Sequence, residues 1–148
     1  MDAPKQARVL FLCTGNSCRS QMAEGWARHL LENQVDVHSA GVAPHGVDPR
    51  AVKAMAEAGV DISGQRSKHV DELAHLAFDL VITLCDDAQQ SCPVFPATVR
   101  VIHHGLEDPP RLAAGARNEQ EAMAHYRRVR DEIRALIEAL PDLVGDDP

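Results

Sequence analysis

Between the apolar run Val9-Leu10-Phe11-Leu12 and a helical pattern from Gln21 onward lies Cys13-Thr14-Gly15-Asn16-Ser17-Cys18-Arg19-Ser20, a thiol, a glycine, hydroxyls and a guanidinium in one short stretch. The order reads as a strand, an anion-binding loop and a helix start. Successive backbone N–H groups at the positive end of a helix, joined by the fixed fork of Arg19, hold a tetrahedral oxyanion. The same field favours a thiolate, drawing a cysteine pKa from roughly 8.5 toward the range of about 3.5–7.5 found at helix N-termini and beside cations. Cys13 is therefore expected to be a nucleophile aimed at an anion cradled by Thr14, Gly15, Asn16, Ser17, Cys18, Arg19 and Ser20. Gly15 gives a tight loop its backbone freedom, and Ser20 can hydrogen-bond the thiolate or cap the helix. Cys18, at the helix entrance, reads as a packing residue within that cradle. Asp108-Pro109 stands in a later loop, and Cys85 and Cys92 fit poorly as two small core residues. His103-His104 is an adjacent pair whose side chains would point to opposite faces of a strand, so no metal site is expected.

Positioning these groups requires a sheet. After the loop, Met22, Ala23, Trp26, Ala27, Leu30 and Leu31 recur at helical spacing, as in an amphipathic helix packed on strands. Val35–Ser39 alternates apolar and polar residues and predicts a second strand. Asp48 caps a second helix with Pro49 at its first position, and Gly59 ends it. A short helical stretch through Val70, Leu73 and Leu76 precedes Leu80–Leu84, a continuous apolar strand of the kind buried on both faces of a parallel sheet. Cys85 stands at its carboxyl end. Val99–Ile102 forms a fourth strand, and Asn118 caps a long helix that ends before Pro141. Strands separated by helices make an open parallel α/β sheet, whose ligands bind beyond the carboxyl ends of the strands.

The chain has 148 residues, with 15 basic and 22 acidic side chains and a net charge of −7. That length suits one domain spanning 1–148. There is no basic run for nucleic acid and no stretch long enough for a membrane span, so neither partner is expected. The short apolar run after a polar N-terminus does not read as a signal peptide, so a cytoplasmic protein is expected. Four cysteines in a reducing compartment are then more suited to catalysis than to stable bridges.

Cys13 to Glu24, reading CTGNSCRSQMAE, resembles the active-site loop of the thioredoxin-coupled arsenate reductases, which share a fold with low-molecular-weight tyrosine phosphatases. The resemblance continues through His38-Ser39-Ala40-Gly41, Val47-Asp48-Pro49, Gly59-Val60-Asp61-Ile62-Ser63, Thr83-Leu84-Cys85-Asp86, Cys92-Pro93 and Asp108-Pro109. It implies a four-stranded parallel sheet of order 2-1-3-4. It also implies arsenate as substrate, no cofactor, a monomer, and thioredoxin as reductant. By this resemblance Cys13 and Arg19 act with Asp108 as general acid, Cys85 attacks Cys13 in its arsenic adduct, and Cys92 resolves the resulting disulfide. Cys85 and Cys92 stand seven positions apart, about 10.5 Å along a helix, so if the reduced segment is helical a disulfide between them requires it to unwind or loop out.

Potassium-binding members resemble the chain at Asn16, Glu24 and Ser39 but carry an acidic residue where Lys68 stands, so Lys68 is expected to replace the cation. His104 occupies a place where many members carry tryptophan. In the related phosphatases an aromatic residue follows Asp-Pro; here Pro110 follows, in a chain with one Trp, one Tyr and three Phe. A grip on phosphotyrosine is therefore not expected. A phosphatase for small phosphate esters and a non-enzymatic oxyanion-binding module are the alternative functions.

Overall fold

The computed structural model describes residues 6–84 and 95–144. Cys85, Cys92 and the segment between them lie outside the described residues. Strand β1 (Ala7–Cys13) is followed by helix α1 (Arg19–Leu30), β2 (Val35–Gly41) and α2 (Pro49–Glu57). A 3-10 turn at Val70–Leu73 leads to β3 (Leu80–Thr83), then β4 (Arg100–His103), α3 (Pro109–Ala114) and α4 (Glu119–Val144). Among the described residues the strands form one sheet in the order β2-β1-β3-β4, and every pairing is parallel. This is the expected 2-1-3-4 arrangement.

β1 is central because its apolar run has neighbours on both sides: Leu10 pairs with His38 on β2 and with Val81 on β3. Val9, Leu10, Phe11 and Leu12 are wholly buried, as are Val81 and Ile82. Burying a side chain of this type contributes roughly 1.5–3 kcal/mol, so this stripe anchors the strand whose end carries Cys13. β4 lies at the edge and leaves Val101 exposed. Trp26 and Tyr126 are buried where α1 meets α4, and the Trp26 indole N–H donates to the Arg130 carbonyl at 3.1 Å.

The caps act as the residue types dictate. Asp48 Oδ1 accepts from the Arg50 N–H at 2.9 Å, with Pro49 at the first helical position, and Gly59 takes a left-handed φ of +87° just beyond α2. Asn118 Oδ1 accepts from the Glu121 N–H at 2.8 Å and starts α4.

Beyond shifts of one or two residues at strand ends, two elements differ from expectation. α4 does not stop before Pro141 but runs to Val144. Proline removes one N–H, yet Leu140 is wholly buried and the Arg100 guanidinium donates to the Leu143 carbonyl at 3.0 Å, holding the last turn in place. Asp108-Pro109 opens the short helix α3 rather than remaining in a loop, because Pro109 and Ala113 bury against the rest of the fold. The same Asp-Pro start signal that marks α2 is present there.

Candidate oxyanion-binding site

The loop after β1 is held from outside through its carbonyl groups. Thr14 C=O accepts from the Ala43 N–H at 2.8 Å, and Gly15 C=O from the His45 N–H at 3.0 Å and the Ser67 hydroxyl at 3.1 Å. Asn16 C=O accepts from Gln21 Nε2 at 3.0 Å, and Ser17 C=O from the Asp48 N–H at 2.9 Å. C=O and N–H point in opposite directions across a trans peptide, so these bonds leave the N–H groups of residues 15 to 18 for the concave side of the loop. Asn16 adopts φ +45°, a left-handed conformation tolerated by asparagine, which reverses the chain direction at the middle of the cradle.

Its side chain locks the turn. Asn16 Nδ2 donates to Ser20 Oγ at 2.8 Å and to Ser39 Oγ at 3.0 Å, while Asn16 Oδ1 accepts from the Lys68 N–H at 2.8 Å. β2 passes closely beneath. A Cβ on Gly41 would lie 2.5 Å from the Thr14 carbonyl oxygen and 2.8 Å from the Asn16 nitrogen, so only glycine fits beside the loop.

Cys13 ends β1 and is buried, with its Sγ 3.1 Å from Ser20 Oγ; the hydroxyl is placed to donate to a thiolate. Arg19, also buried, donates from Nη1 to the Leu106 carbonyl at 2.9 Å, and its Nη2 lies 3.7 Å from Asp108 Oδ1. Arg19 Nε has no hydrogen-bond partner among the described residues, a buried donor that an oxyanion would satisfy. Cys13, Thr14, Gly15, Ser17, Cys18 and Arg19 line a cavity of about 290 Å³, completed by His45, Asp48, Asp108 and Pro110. Cys18 is buried at the entrance of α1, and burial, followed by the charge of Asp48, pushes its thiol well above its usual range. Packing, not nucleophilicity, is what this environment favours.

A second cluster sits behind the loop. The Ser39 hydroxyl donates to Glu24 Oε1 at 2.5 Å, Arg28 Nε donates to Glu24 Oε2 at 3.0 Å, and Lys68 Nζ lies 3.8 Å from Glu24 Oε1. Lys68 Nζ also donates to the Arg66 carbonyl at 3.0 Å. Burial holds the Lys68 ammonium below its usual pKa, with the Glu24 charge opposing that shift.

The structure thus brings together Cys13, Thr14, Gly15, Ser17, Cys18, Arg19 and Asp108 at the cavity, and Asn16, Ser20, Glu24, Ser39 and Lys68 around and behind the loop. Cys85 and Cys92 lie outside the described residues. Sequence reasoning missed His45 and Asp48 as cavity walls and Gln21 and Ser67 as loop supports. Asp48 carried its capping signal, and both Asp48 and Gln21 lie within stretches that carry the family resemblance; His45 and Ser67 carried no signal. Among the described residues no group of three or more His, Cys, Asp and Glu side chains could hold a metal ion, and no helix is long and apolar enough to cross a membrane.

The low molecular weight phosphotyrosine protein phosphatase family matches residues 8–147. An arsenate reductase from Bacillus licheniformis is 54% identical over 126 residues, covering 84% of this chain and 88% of that protein. An arsenate reductase from Bacillus subtilis is 53% identical over 125 residues, with the same coverage. Among solved structures, an arsenate reductase in an oxidized state aligns with a TM-score of 0.78 at 31% identity, covering 94% of this chain and 99% of that one. An arsenate reductase in a phosphate-binding state aligns at 0.73 and 32%, covering 95% and 98%. A low molecular weight protein tyrosine phosphatase from T. tengcongensis aligns at 0.72 and 28%, covering 93% and 99%.

Proposed function

The chain belongs to the low molecular weight phosphotyrosine protein phosphatase family, and we propose that within it the protein reduces arsenate to arsenite with its own cysteines. Both Bacillus relatives, more than half identical over most of the chain, are arsenate reductases. The observation that carries the reaction is the buried thiol of Cys13 at the floor of a cavity shared with the Arg19 guanidinium, beneath a loop whose carbonyls are all engaged elsewhere.

Arsenate binds with its oxygens on the loop N–H groups and the Arg19 fork. The Cys13 thiolate, supported by the Ser20 hydroxyl, attacks arsenic, and an arsenate oxygen leaves as water after protonation by Asp108. Asp108 is placed for this by geometry: it lines the same cavity as Cys13, with Oδ1 3.7 Å from Arg19 Nη2. Cys85 then attacks Cys13 Sγ. A sulfur–sulfur bond forms, the sulfur–arsenic bond breaks with its electron pair staying on arsenic, and arsenite departs. Cys92 exchanges into this disulfide, freeing Cys13, and thioredoxin reduces the Cys85–Cys92 bridge. Lys68 takes the place of a structural cation behind the loop. The protein acts as a monomeric, single-domain enzyme of the cytoplasm, where reductant is supplied.

A phosphatase would restore itself with water and consume no electrons. Apart from the His45 imidazole, the described residues that line the cavity carry no aromatic ring with which to grip phosphotyrosine. Protein incubated with thioredoxin, thioredoxin reductase and NADPH tests the proposal: NADPH oxidation should depend on arsenate and vanish in Cys13→Ser and Cys92→Ser. Hydrolysis of an aryl phosphate with no arsenate-dependent NADPH loss would overturn it.

A further inference from the structure

Asp48 and Tyr126 take no part in the steps above, yet Asp48 stands in the cavity wall and Tyr126 holds it there. Tyr126 is buried on α4, and its hydroxyl donates to Asp48 Oδ2 at 2.5 Å. The other carboxylate oxygen, Oδ1, accepts from the Arg50 N–H at 2.9 Å, and the Asp48 N–H donates to the carbonyl of Ser17, the residue before Cys18. The carboxylate is thereby held from both sides in the wall of the cavity that Cys13 and Cys18 also line. Beyond capping α2, the carboxylate places a negative charge in the wall of an oxyanion site, where it works against anion binding.

Cys18 stands at the entrance of α1 beside Arg19, a setting that by itself lowers a thiol pKa. An ionised Cys18 would compete with the relay. It could attack Cys13 Sγ in the arsenic adduct, forming a Cys13–Cys18 bond and breaking the sulfur–arsenic bond, with the electron pair leaving on arsenite. The two electrons balance, but the disulfide closes inside the anion loop. We propose that Asp48, held by Tyr126, is a positioning residue that adds to burial in keeping Cys18 a thiol and so helps reserve the Cys13 adduct for Cys85. This rests on the arsenate reaction proposed above.

The charges around Cys18 agree with this role. Burial raises its pKa most, followed by Asp48 and then Cys13; Arg19 opposes them and Asp108 adds to them. Burial and the bond to Asp48 lift the Tyr126 phenol above its ordinary range, so it remains the donor and Asp48 the acceptor.

With Cys13, Cys85 and Cys92 replaced by serine, Cys18 is the remaining thiol, and its ionisation can be followed by thiolate absorbance against pH. Asp48→Asn should lower the midpoint by about one pH unit or more, a tenfold gain in acidity. Tyr126→Phe, which frees the carboxylate to turn away, should give a smaller fall. In protein with all four cysteines, diamide should then form the Cys13–Cys18 disulfide several-fold faster in Asp48→Asn than in the wild type. With arsenate and no reductant, peptide mapping should find Cys18 reduced in the wild type and joined to Cys13 in Asp48→Asn. An unchanged midpoint in both folded variants overturns the inference, as does a lowered midpoint with Cys18 still outside every disulfide. Faster diamide oxidation in protein that arsenate leaves fully reduced would instead retain the Asp48 effect on Cys18 and overturn the arsenate reading.

Discussion

Lys68→Asp should turn a potassium-indifferent protein into one that potassium stabilises. The Lys68 ammonium lies 3.8 Å from Glu24 Oε1, and the two side chains are only 14% and 5% exposed. At an effective dielectric near 20, unit charges at that separation attract by about 4 kcal/mol. The cost of burying the ammonium outweighs this attraction, which is why its pKa falls. Glu24 keeps Arg28 Nε at 3.0 Å and the Ser39 hydroxyl when Lys68 is lost, so it is not left unpaired. Lys68→Ala should therefore cost about 1–2 kcal/mol, less than the 3–5 kcal/mol typical of an abandoned buried charge. A potassium ion about 4 Å from the ammonium would be repelled by a similar ~4 kcal/mol, a loss of roughly a thousandfold in affinity. In Lys68→Asp that repulsion becomes attraction, and potassium at a hundred times its Kd would add about 2.7 kcal/mol. Thermal unfolding in potassium chloride and in tetramethylammonium chloride at equal ionic strength reads the difference. Potassium binding by the wild type in calorimetry, or no potassium response in a natively folded Lys68→Asp, would refute the reasoning.

Gly41→Ala drives a methyl group into the Thr14 and Cys13 carbonyls and the Asn16 nitrogen, all backbone. It should cost about 1–3 kcal/mol in urea unfolding and at least tenfold in kcat/KM, whereas full activity would mean the loop yields easily. Arg19→Lys cannot serve the Leu106 carbonyl, Asp108 and an oxyanion at once; arsenate kcat/KM should fall on the order of 10²–10³, and a loss below tenfold would discount the fork. Asp108→Asn should lower kcat on the order of 10²-fold at neutral pH while leaving phosphate inhibition intact, so an unchanged kcat removes it as the acid. The Ser63 hydroxyl and N–H hold Asp61 below its ordinary pKa, and Arg66 and the His69 N–H do the same for Glu72. Because their folded pKa values lie below the unfolded ones, their contribution is present above about pH 4 and lost as pH falls through the folded values. The urea midpoint should decline with acidification below pH 4, and a flat midpoint would contradict these pairs.

The sheet could be read from the sequence because β1 and β3 are continuous apolar runs and parallel pairing buries both faces, as Val81 and Ile82 show. The ends of elements were less legible. β2 runs on to Gly41 because it pairs with Cys13 across the sheet, and α4 passes Pro141 because Leu140 and Arg100 supply tertiary support that no local preference contains. At the site, Cys13 and Arg19 announced themselves through residue type and spacing, and Asn16, Glu24, Ser39 and Lys68 through resemblance. His45 and Ser67 reach the loop from other segments by ordinary hydrogen bonds, which leave no periodicity or motif to read, and nothing in the resembling stretch marks Gln21 as the donor to the Asn16 carbonyl. Asp48 displayed its role as a helix cap; its second role exists only because α4 brings Tyr126 to it.

Arsenate reduction by the protein's own thiols can be read in a single turnover. Fully reduced protein, freed of small thiols and given excess arsenate without any external reductant, should release about one arsenite per chain and lose two titratable thiols, the second electron pair being unavailable until thioredoxin is added. Arsenic speciation and thiol counting on the same quenched sample decide it. No arsenite, or arsenite formed without thiol loss, would contradict the account.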